Sequence, residues 1–146
     1  MQINTEDLMG PLLDWAVAVA IGTLTAEHAG DQTFYRLKTV GVESGTWVGP
    51  VHPAGQAACG QSIWRPSSDW RQGGPLLSEY AISVRPITDA QWLAEEFITH
   101  NTARAVDDSK HDGYLVAGMR VLVKSLMGDT ITVPAHLRQQ ASMALQ

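Results

Sequence analysis

Cysteine is almost absent from this chain. Cys59 stands alone among 146 residues, so no internal disulfide can form, and no metal-ligand spacing surrounds it. Such usage suits a reducing compartment. Charge is sparse as well, at 17% of residues, against about 25% in an average globular domain. The ten Lys and Arg residues are scattered singly and the net charge is −5. Duplex binding relies on clustered cations that neutralise phosphates, so nucleic acid is not an expected partner. No apolar run approaches the roughly 20 residues that span a bilayer; the run from Trp15 to Ile21 is far too short. The opening Met1-Gln2-Ile3-Asn4-Thr5-Glu6-Asp7 is polar and acidic and does not read as a secretory signal. The expected compartment is the cytoplasm, with no membrane partner.

Catalytic signatures are missing too. There is no GxxxxGK[ST] phosphate loop, no GxSxG elbow and no HExxH. The five histidines lie far apart, and none has a helical metal partner. Asp107, Asp108 and Asp112 lack the alternating ligands and closing Glu of a calcium loop, and read as solvated loop. No catalytic residue, metal or cofactor is expected.

What the chain does contain is enough apolar residue, 45%, for one core. A single domain over 1–146 is expected, with 137–146 as a frayed tail. Leu8, Leu12, Leu13, Trp15, Ala16 and Val19 recur at helical spacing. With Pro11 at the start and Gly22 as the stop, they predict a helix over about 11–21, with Asp14 on its outer face. Leu115, Met119, Leu122 and Leu126 predict a second helix over 114–127, ended by Gly128, with Arg120 and Lys124 opposite the apolar stripe. Strands are expected near 34–41 and 81–85, and a short one at Ile131 and Val133. Thr46-Trp47-Val48 is expected to pair with the first of these. Gln91 to Thr99 satisfies both patterns: Thr88 and Gln91 resemble a capping box, whereas Trp92, Ala94, Glu96 and Ile98 share one face of a strand. Thr99 to Gly113 is polar and reads as loop.

From Gly49 the chain is rich in Gly and Pro, and a denser segment follows: Trp64-Arg65-Pro66-Ser67-Ser68-Asp69-Trp70-Arg71-Gln72-Gly73-Gly74-Pro75. Proline, paired glycines and capping residues make a loop, with a short helix expected only from Pro75. Ser68 and Asp69 can cap amides, and Gly73 and Gly74 can expose amides to an anion. Trp70 can stack on a flat ligand or anchor a partner. The candidate binding residues are therefore Ser68, Asp69, Trp70, Gly73, Gly74 and Pro75. Against this stands a purely architectural reading, in which Asp69 caps the next helix while Trp64 and Trp70 fill the core.

Three stretches carry a resemblance. They are Leu12-Leu13-Asp14-Trp15-Ala16-Val17-Ala18; Pro66-Ser67-Ser68-Asp69-Trp70-Arg71-Gln72-Gly73-Gly74-Pro75-Leu76-Leu77; and Leu115-Val116-Ala117-Gly118-Met119-Arg120, followed by Gly128-Asp129 and Val133-Pro134. Together they resemble the NinX-like family of small, uncharacterised phage and prophage proteins. Gly118 stands where that family usually has alanine, and residues 30–60 match nothing in it. Trp92-Leu93-Ala94 fits the family's Trp-x-Ala and favours the strand over 92–99. The resemblance implies a phage or prophage protein in the bacterial cytoplasm, and it brings no reaction or cofactor.

These readings converge on a single α+β domain with two main helices packed on a small antiparallel sheet. The leading functional expectation is a non-enzymatic accessory protein that binds a protein partner, a host protein among the candidates. The alternatives are a small-ligand or nucleotide-binding domain, which an enzyme would also fit, built on the Ser68 to Gly74 loop, and a self-associating structural protein.

Overall fold

The structure, a computed structural model, describes residues 2–22, 24–29, 32–37, 47–48, 63–109 and 111–133. The elements run β1 (Gln2–Asn4), a 3-10 turn (Thr5–Asp7), α1 (Gly10–Ala20), β2 (Leu24–Ala29), β3 (Gln32–Leu37), β4 (Trp47–Val48) and β5 (Ile63–Trp64). There follow α2 (Trp70–Glu79), β6 (Ile82–Pro86), β7 (Gln91–Glu96), β8 (Thr102–Val106), α3 (Gly113–Met127) and β9 (Thr130–Thr132). This is an α+β architecture. Most of the Gly- and Pro-rich stretch from Gly49, residues 38–41 of the first expected strand and the 137–146 tail lie outside the described residues.

The centre of the molecule is α3. Every residue from Leu115 to Val123 is buried. A helix without an open side needs neighbours all round. The sheet β6-β7-β8 supplies one of them, and α1, α2 and the 3-10 turn supply the others. Leu8, Leu13, Val17, Leu115, Met119 and Leu122 are the large, wholly enclosed side chains at the junction. At about 25 cal/mol per Å2 of apolar surface removed from water, such residues dominate the folding free energy.

The sheet facing α3 is antiparallel throughout. Val84 pairs with Ala94, and Ala94 with Ala103. Ala94, Ala103 and Ala105 are buried, and side chains this small let the helix lie close against the strands. The strand reading of 92–99 therefore holds, with the strand ending at Glu96 and lying antiparallel to Ile82–Pro86. The third strand corrects the expectation for Thr99 to Gly113. Its inward face consists only of alanines alternating with Arg104 and Val106, a weak hydrophobic signal. The expected partner near 34–41 also needs correction: β3 belongs to a second sheet, of order β2-β3-β4-β5, where it pairs with β4 as foreseen.

Two expected surface residues lie inside. Asp14 is only 4% exposed and Arg120 only 9%. Each is held by main-chain groups from elsewhere in the chain. The Ser67 amide donates to Asp14 Oδ1 at 2.8 Å. Arg120 donates from Nε to the Leu8 carbonyl at 2.7 Å and from a terminal nitrogen to the Arg104 carbonyl at 2.7 Å. Lys124, partly exposed, reaches the Thr102 carbonyl at 3.0 Å.

Distant parts of the sequence meet at β1 and β9. Ile3 stands opposite Ile131 in an antiparallel pair. The Thr5 amide then donates to the Asp129 carbonyl at 2.8 Å. Between β9 and α3, Gly128 takes φ 101°, the positive value its position as helix stop requires.

Candidate functional site

The central Gly- and Pro-containing segment is a helix and its cap. Arg65 to Asp69 turns tightly, with the Ser68 and Asp69 amides donating to the Arg65 carbonyl at 3.0 and 2.9 Å. Asp69 then caps α2: its carboxylate accepts from the Arg71 amide at 2.9 Å. The helix begins at Trp70, five residues before the expected start, and carries Pro75 in its interior. The Gly73 amide donates to the Asp69 carbonyl at 2.8 Å, so it is committed to the helix and does not cradle an anion. Gly73 has no room for a side chain, because a Cβ there would run into the Pro66 carbonyl oxygen. This close approach selects the first glycine of the pair. Ser68 and Pro75 are exposed, and Gly74 lies under the Trp70 ring.

The two tryptophans of the segment divide the competing readings between them. Trp64 is core: it is 2% exposed and its indole N–H donates to the Asp14 carbonyl at 2.8 Å. Trp70 remains 49% exposed. Its ring lies against Tyr114, with centroids 4.9 Å apart. Trp92 meets the other side of the cluster, edge-on to Tyr114 at 5.2 Å. Three aromatic rings from α2, β7 and α3 thus form one group beside the N-terminus of α3.

Two aspartates lock this group. Asp112 is the N-cap of α3: one carboxylate oxygen accepts from the Tyr114 amide at 3.0 Å, the other from the Trp70 indole at 2.9 Å. Asp107 repeats the arrangement, accepting from the Gly113 amide at 2.7 Å and from the Trp92 indole at 3.0 Å. Each acid therefore ties a helix-terminal donor to an indole. The favourable placement of negative charge at a helix N-terminus strengthens both links. Gly113 between them has no space for a Cβ, which would meet Asp107 and Trp92. The solvated-loop reading of these acids is corrected: Asp107 and Asp112 are the struts of an aromatic surface. The sequence reading missed both; an N-cap residue just ahead of an apolar stripe was the signal that could have found Asp112.

A family match bears on these residues. The model described as "Bacteriophage P22, NinX" matches residues 4–125. The chain belongs to the NinX family. No curated protein matches it. The span matched by the NinX family covers Asp14, Ser67, Trp70, Trp92, Asp107, Asp112 and Tyr114, and so the whole aromatic group and its struts.

Asp14 and Ser67 join the first two stretches of the NinX resemblance. Burial pushes the Asp14 carboxyl up to about 7. The Ser67 amide, then its hydroxyl, then the charge of Arg65 work in the opposite direction. Glu96, also buried, behaves oppositely. The Thr99 hydroxyl and amide, each at 2.5 Å, hold it below the usual carboxylate range. Among the described residues no group of three or more His, Cys, Asp and Glu is placed to hold a metal ion, and no helix is long and apolar enough to cross a membrane.

Proposed function

We propose that this NinX-family phage protein is a non-enzymatic accessory protein that binds a protein partner in the bacterial cytoplasm through the Trp70 face. One observation carries the reading: Trp70 is half exposed, yet its ring and its indole N–H are both held in place. Fixing a large side chain before association removes part of the ordering cost of binding. Tryptophan and tyrosine are also the residues most enriched among interface anchors. Asp107 and Asp112 place negative charge beside the rings, which favours a partner that brings an apolar or cationic side chain to them. A second copy of this chain is the competing occupant.

The test compares wild-type protein with Trp70→Ala as immobilised bait in lysate of an infected host. The expected result is a discrete partner retained by the wild type and lost, by at least tenfold, with the variant. Retention of the same proteins by both, or of none by either, refutes the reading. Sedimentation of the wild type alone separates self-association, which would appear as a dimer that Trp70→Ala dissociates.

A further inference from the structure

A second surface, between β8 and α3, has the make-up of a ligand site. A cavity of about 320 Å3 opens between β8 and α3, lined by Met9, Arg104, Val106, His111, Val116 and Arg120. That volume is at the small end of ligand pockets. Its decisive feature is Arg120. The residue is about nine-tenths buried, and its two hydrogen bonds both go to neutral carbonyls. A guanidinium has five N–H donors, so three remain without a protein acceptor among the described residues. No carboxylate among those residues lies within ion-pair distance of it; the charges of Asp7 and Glu6 act on it only from farther off, and Glu6 pairs with Lys124 at 3.4 Å.

A buried cation with no carboxylate in contact and several donors unused is costly, and structures normally supply an acceptor. Arg120 and Arg104 both belong to the cavity wall. The one acid on the lining, Asp108, is already held by His111, whose Nδ1 lies 3.0 Å from the carboxylate. Met9, Val106 and Val116 make the remaining wall apolar. A planar guanidinium edge matches a carboxylate in two parallel hydrogen bonds. The apolar wall suits a hydrocarbon body. We infer that this cavity binds a small organic monocarboxylate, its carboxylate on Arg120 and Arg104 and its apolar body against Met9, Val106 and Val116.

Titration of the full chain with benzoate, followed by 1H–15N NMR, tests the inference, with benzamide and inorganic phosphate as controls. Benzoate should produce saturable shifts in the amides of 104–106 and 116–120 and in the Arg120 Nε–H signal. Benzamide, the same shape without the charge, should leave them in place. Val106→Asp adds a negative charge at an exposed position and should weaken benzoate at least tenfold while the rest of the spectrum is kept. Arg104→Gln retains the backbone carbonyl that Arg120 uses. It should weaken benzoate several-fold, and it keeps the test open if the strand does not tolerate Val106→Asp. Equal shifts with benzamide, equal shifts with phosphate, unsaturable shifts, or unchanged affinity in the variants would each overturn the proposal.

Discussion

Asp14 shows how one side chain couples this fold to pH. Its carboxyl is raised from 3.8 to about 7 by burial, so between those values the folded chain holds a proton that the unfolded chain has released. Stability must therefore fall as pH rises through that window, and level off above it. At about 1.4 kcal/mol per pKa unit, the loss between pH 5 and pH 8 is on the order of 3 kcal/mol. Glu96, whose carboxyl is shifted down, acts only at lower pH, where protonation removes its stabilising bonds to Thr99. Urea unfolding of the wild type at pH 5 and pH 8 should reveal the Asp14 slope. Asp14→Asn, which keeps an oxygen for the Ser67 amide, should flatten it. An equal slope in both proteins would remove Asp14 as its source.

Helix packing makes the glycines of α2 and α3 unequal. A Cβ at Gly73 meets the backbone oxygen of Pro66, which cannot turn aside. A Cβ at Gly118 meets the methyl end of Leu77, which can. Alanine also favours a helix over glycine by about 1 kcal/mol. Gly118→Ala should accordingly change stability by less than about 1 kcal/mol, whereas Gly73→Ala should cost more than about 2 kcal/mol as the turn at Pro66 is displaced. Denaturant midpoints of the two variants check the difference. The same contrast explains what the sequence reveals at this level. Elements α1 and α3 are legible because their apolar residues repeat at the period of the element, whereas the pattern over 91–99 fits helix and strand alike and only the family's Trp-x-Ala favours the strand. In α2, Gly73-Gly74-Pro75 argues against a helix on propensity alone. The helix forms because tertiary packing demands a glycine under Pro66 and because Asp69 caps it. For β8 only alanines mark the inward face. The candidate segment was visible as a composition, but Tyr114, Trp92, Asp107 and Asp112 reach it from 22 to 44 residues away, and no local pattern joins them to it.

At the scale of the whole molecule, α3 is enclosed by elements from both sides of it in the chain, so it opens only when the fold opens. Amides from Leu115 to Val123 should therefore exchange with solvent at the slowest rates, close to the limit set by global unfolding. Amides of the 97–100 turn, where Phe97 and Ile98 are exposed, should exchange faster by orders of magnitude. Faster exchange in α3 than in α1 would refute this hierarchy. The pairing of β1 with β9 has a consequence for synthesis. A ribosome delivers Gln2–Asn4 first and Thr130–Thr132 well over a hundred codons later, and contacts this far apart in sequence form late. Until Thr130–Thr132 clears the exit tunnel, the first strand has no neighbour and Thr5 has no Asp129 carbonyl. A message broken upstream of codon 129 yields a chain unable to close this seam, open to the host's proteases.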